Sequence, residues 1–179
     1  MEGDSCVVGS VRLDFAPDGA GVARWSLRGA SSDRLDGLPT VVSRAETPEL
    51  AEHPNGVTKI DHLVVFTPEL RRTVPALQAA GLDLRRLREP SEPGPPVRQA
   101  FVRAGEVIIE VVEQPELGDG PPRFWGITFR VADIDRAAEL LGERLGEIRD
   151  AVQTGRRIAT ARREAGLGLP VALLSERGR

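Results

Sequence analysis

Cysteine is almost absent from this chain of 179 residues. Cys6 stands alone, so neither an intrachain disulfide nor a thiolate zinc cluster can form, and a reducing, cytoplasmic setting is expected. Cys6 lies beside no histidine, and it reads as incidental rather than nucleophilic. Tyrosine is missing and aromatics make up 4% of the residues, which counts against a stacking pocket for a flat cationic ligand. Of the 24 basic residues only Lys59 is a lysine, so fixed positive charge is guanidinium, suited to bidentate contacts with carboxylate or phosphate. The net charge of -3 argues against nucleic acid, whose binding rests on a basic surface. No apolar run nears the roughly 18 residues that cross a bilayer. Met1-Glu2-Gly3-Asp4 has neither a basic nor an apolar leader region, so no secretory signal is expected. A soluble globular protein with no membrane and no nucleic-acid partner is left.

What is present is a unit written twice. The first copy opens with Ile60-Asp61-His62-Leu63-Val64-Val65-Phe66 and closes with Val107-Ile108-Ile109-Glu110-Val111-Val112-Glu113. The second opens with Phe124-Trp125-Gly126-Ile127-Thr128-Phe129-Arg130-Val131 and closes with Pro170-Val171-Ala172-Leu173-Leu174-Ser175-Glu176. Each opening run is short and rich in β-branched or aromatic residues, which favours a strand over a helix. Each leads into an apolar-periodic stretch that ends at a glycine.

In the first copy Thr67-Pro68-Glu69 is a helix-start signature, Leu70, Val74 and Leu77 share a helical face, and Gly81 is a natural stop. Pro75 conflicts with a helix interior, so the helix either kinks there or starts late with Thr73 as its cap. Glu89 to Pro96 is a Pro-rich loop. Arg98–Arg103 and Glu106–Glu113 form a hairpin through Ala104-Gly105. In the second copy Asp133 is the N-cap, and Ile134, Ala137, Ala138, Leu141 and Leu145 keep the helical period as far as Gly146. Arg157–Arg162 and Leu169–Leu174 are further strands.

Residues 1 to 57 carry three β-like runs, Cys6–Phe15, Gly21–Leu27 and Leu38–Val42. Ala16-Pro17-Asp18-Gly19 predicts a hairpin between the first two. Ser43 to Gly56 reads as a linker, with His53 a loop residue. The expected organisation is an N-terminal β extension and linker over 1–57, a first βαβββ module over 58–118 and a second over 119–179, the modules together making one domain.

A duplicated βαβββ unit opened by Ile60-Asp61-His62-Leu63-Val64-Val65 and closed by Ile109-Glu110-Val111-Val112 resembles the vicinal oxygen chelate superfamily. That group holds glyoxalase I, extradiol dioxygenases, methylmalonyl-CoA epimerase and the bleomycin-resistance proteins. His53-Pro54-Asn55-Gly56-Val57 also resembles uncharacterised glyoxalase-like members. The resemblance implies an α+β fold of two tandem modules forming a curved mixed sheet around a cleft. It implies a divalent metal held by one residue from each first strand and one from each last strand. Carried over, these positions are His62 and Glu110 in the first module, and Gly126 and Ala172 in the second, where neither side chain can bind a metal. The expected cofactor is therefore none, or a weakly held divalent metal on His62 and Glu110. The same two residues suit a hydrogen-bonded pair in a metal-free pocket, whether catalytic or structural.

Alternation along a strand puts Gly126, Thr128 and Arg130 on one face, Gln99 and Phe101 on another, and Arg157 with Ala159 on a third. The resemblance implies that Arg130 helps hold an anionic part of the ligand. Gln99, Phe101, Thr128, Arg130 and Arg157 are the expected substrate contacts. Glu113 and Glu176 read as surface charges, and Trp125 as a core or dimer-contact aromatic. The function so implied is proton transfer of lyase or isomerase type on a carbonyl or carboxylate metabolite, with His62 and Glu110 catalytic. The alternatives are a binding or resistance protein that sequesters a small molecule, and a module that binds a protein through its N-terminal β segment. A homodimer is expected, because open sheet edges favour association.

Overall fold

The two periodic stretches form helices of an α+β protein. A computed structural model describes residues 5–16, 20–92 and 96–178. Among the described residues there are twelve strands: β1 (Ser5–Val8), β2 (Val11–Asp14), β3 (Trp25–Arg28), β4 (Thr40–Ser43), β5 (Val57–Thr67), β6 (Asp83–Arg88), β7 (Gln99–Ala104), β8 (Val107–Glu113), β9 (Arg123–Val131), β10 (Arg149–Asp150), β11 (Arg157–Thr160) and β12 (Val171–Ser175). Helix α1 spans Leu70–Ala79 and α2 spans Ile134–Leu141. Among the described residues no helix is long and apolar enough to cross a membrane.

Two compact units are formed. The first holds Met1–Gly21, Thr47–Asp61 and Ile127–Arg179, and the second holds Val22–Glu46 and His62–Gly126. In the second unit the strand order is β5-β8-β7-β6. β5 and β8 are parallel, and the other two pairs are antiparallel. In the first unit the order is β10-β11-β12-β9, with the start of β5 beyond β9. β12 and β9 are parallel, and β11 runs antiparallel to β12. The sheet structure is thus mixed in both. The two parallel pairs share one stagger. Val64 lies opposite Glu110, two residues after His62, and Thr128 lies opposite Ala172, two residues after Gly126.

Helix α1 begins at Leu70 and continues through Pro75, so the late start at Thr73 does not occur. The first turn is held from outside the helix. The Leu70 N–H donates to Glu113 Oε1 at 2.9 Å, and the Thr67 hydroxyl accepts from the Glu69 N–H and meets Thr73 Oγ1 at 2.6 Å. Thr73, Val74 and Leu77 are buried, whereas Pro75 is exposed. Gly81, at φ 92, lets the chain leave the helix. The second helix is shorter than its periodicity predicts. Asp133 caps it by accepting from the Asp135 and Arg136 N–H groups, but it ends at Leu141, because Gly142 takes φ 53 and a short 3-10 turn follows. Leu145 instead bridges to Ala161 and is buried there.

The N-terminal pairing differs from the expected hairpin. The run from Cys6 folds on itself as the β1–β2 hairpin through Gly9-Ser10, and β3 pairs in parallel with β4. The Pro17-Asp18-Gly19 turn lies outside the described residues. Strand β6 was not foreseen, because its charged run Asp83-Leu84-Arg85-Arg86-Leu87-Arg88 reads as surface. It is an edge strand, and all its residues except Leu84 and Arg88 are exposed.

Residues 22–46 do more than link. Leu35 and Leu38 are buried in the second unit. Asp36, at φ 54, accepts from Thr73 Oγ1 at 2.6 Å and pairs with Arg72 Nε at 2.7 Å. Ser31 bonds the carbonyls of Ala79 and Ala80, two of the groups that a helix C-terminus leaves open. Leu77→Ala is expected to cost about 2–5 kcal/mol through the cavity it leaves. Asp36→Ala should cost about 1–3 kcal/mol by removing the carboxylate that Arg72 and Thr73 share. Urea denaturation checks both.

Candidate functional site

Residues directly opposite each other in paired strands share a face. Val64, Glu110, Phe101 and Arg86 form one such row across the second unit, and Phe66, Val112, Gln99 and Arg88 form the next. His62 lies opposite Ile108 on the same face. The other face carries Val65, Ile109, Val111, Ala100 and Val102, all fully buried. It lies under α1, as the Thr67–Thr73 bond shows. Alternation alone therefore places His62, Glu110, Gln99, Phe101 and Arg88 together on the face away from the helix.

A polar chain crosses the four strands on that face. Arg88 Nε donates to Gln99 Oε1 at 2.7 Å, and Arg88 also reaches the Val97 carbonyl at 3.1 Å. Gln99 Nε2 donates to Glu110 Oε1. Glu110 Oε2 then lies 3.6 Å from His62 Nε2. Arg88 and Gln99 are each only 5% exposed, and His62 and Glu110 are mostly buried. Arginine has no acceptor, so the amide oxygen of Gln99 must face Arg88 and its NH2 must face Glu110. Glu110 Oε1 is then bound to accept. A proton on this carboxyl goes to Oε2, the oxygen beside His62. At 3.6 Å the pair is wider than a hydrogen bond and attracts as ions when His62 is protonated. The arrangement sets a carboxyl oxygen and an imidazole nitrogen, each able to carry a proton, side by side on one sheet face.

The second-unit aromatics form two pairs. Trp125 stacks on Phe66 at 5.0 Å, with the rings 24° apart, and remains 45% exposed. Phe124 meets Trp25 edge-on at 5.2 Å.

A second polar cluster lies in the first unit. Asp61 Oδ1 receives both Arg130 Nη2 and, at 3.3 Å, Arg156 Nη1. Glu176, at the end of β12, stands 3.7 Å from Arg130. Thr128 is buried on β9. The guanidinium of Arg157, an expected substrate contact, is exposed and holds Asp135 bidentately at 2.8 and 2.6 Å. That hydrogen bond keeps the Asp135 carboxyl below its usual pKa. Its neighbour Arg156 turns inward instead. Glu113 is not a surface charge either. Its side chain is 14% exposed and divides between Arg98 and the α1 N-terminus. His53 lies outside helix and strand, with Nε2 2.7 Å from the Val7 carbonyl.

The sequence reading missed Arg88, Asp61 and Arg156. Arg88 lies on the unforeseen strand, and the Arg156-Arg157 doublet gives no sign of which arginine turns in. Asp61 could have been found, as a carboxylate in an otherwise apolar strand run.

The resemblance implies a divalent metal, and the donor set does not fit a firmly held one. His62 and Glu110 offer two protein ligands, where catalytic sites offer three or more. Among the described residues no group of three or more His, Cys, Asp or Glu converges.

No family model matches the sequence. No curated protein matches it either. Solved structures do match. A methylmalonyl-CoA epimerase from Mycobacterium tuberculosis aligns at TM-score 0.57 and 17% identity, covering 72% of this chain and 94% of that one. A Streptomyces coelicolor methylmalonyl-CoA epimerase variant in complex with 2-nitronate-propionyl-CoA aligns at 0.52 and 22%, covering 68% and 99%. A methylmalonyl-CoA epimerase in complex with methylmalonyl-CoA and NH4+ aligns at 0.52 and 23%, covering 67% and 95%. At these identities the likeness shows the fold alone, and this chain shares the fold of the methylmalonyl-CoA epimerases.

Proposed function

We propose that the protein binds a carbonyl or carboxylate metabolite and moves a proton on it, as an isomerase or lyase, with Glu110 and His62 as the acid–base pair. The observation that carries this reading is the Arg88–Gln99–Glu110–His62 chain, which holds one carboxyl oxygen ready for a proton beside an imidazole. A positioned acid or base contributes about 10²–10⁴-fold to a proton-transfer rate. Glu110 Oε2 takes a proton from the carbon next to the substrate carbonyl, and His62 donates to or steadies the oxygen on which charge develops. With the two groups 3.6 Å apart, both act on one face of the substrate. Such a pair favours enolisation with return of the proton on the same side, over an epimerisation that needs groups on both faces.

Gln99 and Phe101 line the same sheet face and are the substrate contacts of this reading. A two-ligand site holds a divalent ion weakly, and no step is assigned to one. The modules at 58–118 and 119–179 remain the repeat units, which their common stagger supports. A cytoplasmic homodimer completes the reading. Edge strands β6 and β10 end the strand orders of the two units and suit pairing with a second copy.

A specific observation favours the second reading, a binding protein without turnover. Gly126 and Ala172 stand where the superfamily carries its other ligand pair. The test uses methylmalonyl-CoA, the compound bound in one structural neighbour, and small hydroxycarbonyls in D2O, with loss of the carbon-bound proton followed by NMR. The enzyme should exchange it, and His62→Ala and Glu110→Gln should each slow exchange about 10²-fold or more. Unchanged exchange in either variant overturns the assignment. Stoichiometric binding without exchange establishes the second reading. Gln99→Leu should destabilise the fold by about 1–3 kcal/mol, because it takes the Gln99 acceptor from the buried Arg88 Nε–H; urea denaturation reads this.

A further inference from the structure

The open face of the second unit carries an aromatic pair that the polar chain does not use. His62, Val64 and Phe66 alternate onto that face along β5, and Phe66 lies opposite Val112, in the row that continues to Gln99 and Arg88. Phe66 therefore stands one row beyond Glu110. It lies roughly 7 Å along the strand from Val64, the residue opposite Glu110. Trp125 stacks on Phe66 at 5.0 Å, with the rings 24° apart, and the stack fixes the plane of the indole. Trp125 is nevertheless 45% exposed.

Single exposed apolar side chains are ordinary, and it is place that distinguishes this one. Leu87 on β6 is exposed to a similar degree, but it lies opposite Ala100, on the helix side. Trp25, the other tryptophan, is tied down: its Nε1–H donates to Thr40 Oγ1 at 2.6 Å, and its ring meets Phe124 edge-on. Trp125 is instead held over Phe66, on the row next to the His62–Glu110 pair. Phe101, opposite Glu110, is a further aromatic of that face. A tryptophan already held by a stack gives up little more freedom when a second ring lies on it.

We infer that Trp125, backed by Phe66, is the specificity-determining residue of the site, and that it selects carbonyl substrates bearing an aryl group on a short chain. The inference rests on the proton-transfer reading only for what the carbonyl end meets at His62 and Glu110. An aryl group gains on the indole both the burial of apolar area and the offset stacking of two rings. An alkyl group of the same chain length stops short of the platform and gains neither. The span of roughly 7 Å from the acid–base row to the aromatic row is covered by a short linker and the ring itself.

The experiment titrates the ¹⁵N-labelled full chain with 4-phenylbutan-2-one, and separately with butan-2-one. The indole N–H signals of Trp125 and Trp25 and the backbone amides of Phe101 and Glu110 are followed. The Trp125 signal should shift saturably with the aryl ketone, which should bind about fivefold more tightly than the alkyl ketone, while Trp25 stays in place. Trp125→Leu keeps an apolar side chain without the flat face and should weaken aryl binding about fivefold, read on the two amides; Trp125→Phe should regain most of it. Phe66→Leu, which removes the backing ring, covers the case in which Trp125→Leu does not fold, and should also lower the preference for the aryl ketone. Equal affinity for the two ketones, parent-like aryl binding in the leucine variant that folds, or an unmoved Trp125 signal would each overturn the assignment. So would a dimer, seen by sedimentation, that Trp125→Leu dissociates while the parent shows no aryl preference, because a second copy then covers the indole. Binding needs no turnover. Aryl preference without proton exchange in D2O counts against the reaction alone, and exchange on both ketones without aryl preference counts against the platform alone.

Discussion

Arginine can only donate hydrogen bonds, and burial of one at Arg88 sets the order of everything on the open face of the second unit. Its Nε–H turns the Gln99 amide, the amide turns Glu110, and Glu110 presents one defined oxygen to His62. Nothing in the chain Arg88, Gln99, Glu110 can be reversed without setting donor against donor. A buried charge is costly unless its hydrogen bonds are made, so the side chain that gives the site its order is also one that the fold is obliged to satisfy.

Parallel pairing of β5 with β8 brings the two ends of the first repeat together. The crossover through α1 covers one face of these strands with apolar residues, which leaves the other face for polar ones. The strands can serve both because successive side chains alternate. Ile109 and Val111 are fully buried on the helix side while Glu110 between them faces His62 on the other. The same stagger between β9 and β12 puts Gly126 and Ala172 at the corresponding places, where neither side chain is polar.

The repeat, both helices, the N-cap of the second and the pair His62 and Glu110 were legible in the sequence, because each rests on local periodicity or on a short-range signal. Features that depend on distant partners were not. Pro75 looked disruptive because its exposed position and the support from Glu113 are tertiary facts. Leu145 continued a helical period that one glycine had already broken. The N-terminal runs showed strand character but not their partners, since β3 pairs with β4 across residues 29–39 and not with the preceding run. At the sites, Arg157 and Arg156 are chemically identical in sequence, and only the direction of the backbone before β11 decides which one reaches Asp61.

Glu113 pins the end of β8 to the first turn of α1 and to Arg98, three residues beyond Glu110. An odd spacing in a strand puts the two carboxylates on opposite faces, so one secures the helix while the other faces His62. A register shift of one residue would bring Glu110 to the helix side and take Glu113 from the helix amide. The clamp therefore acts as an indexing pin for the strand. A residue inserted or deleted between 110 and 113 would break either the His62 or the helix contact, whereas one in the turn that begins at Gln114 leaves that spacing intact.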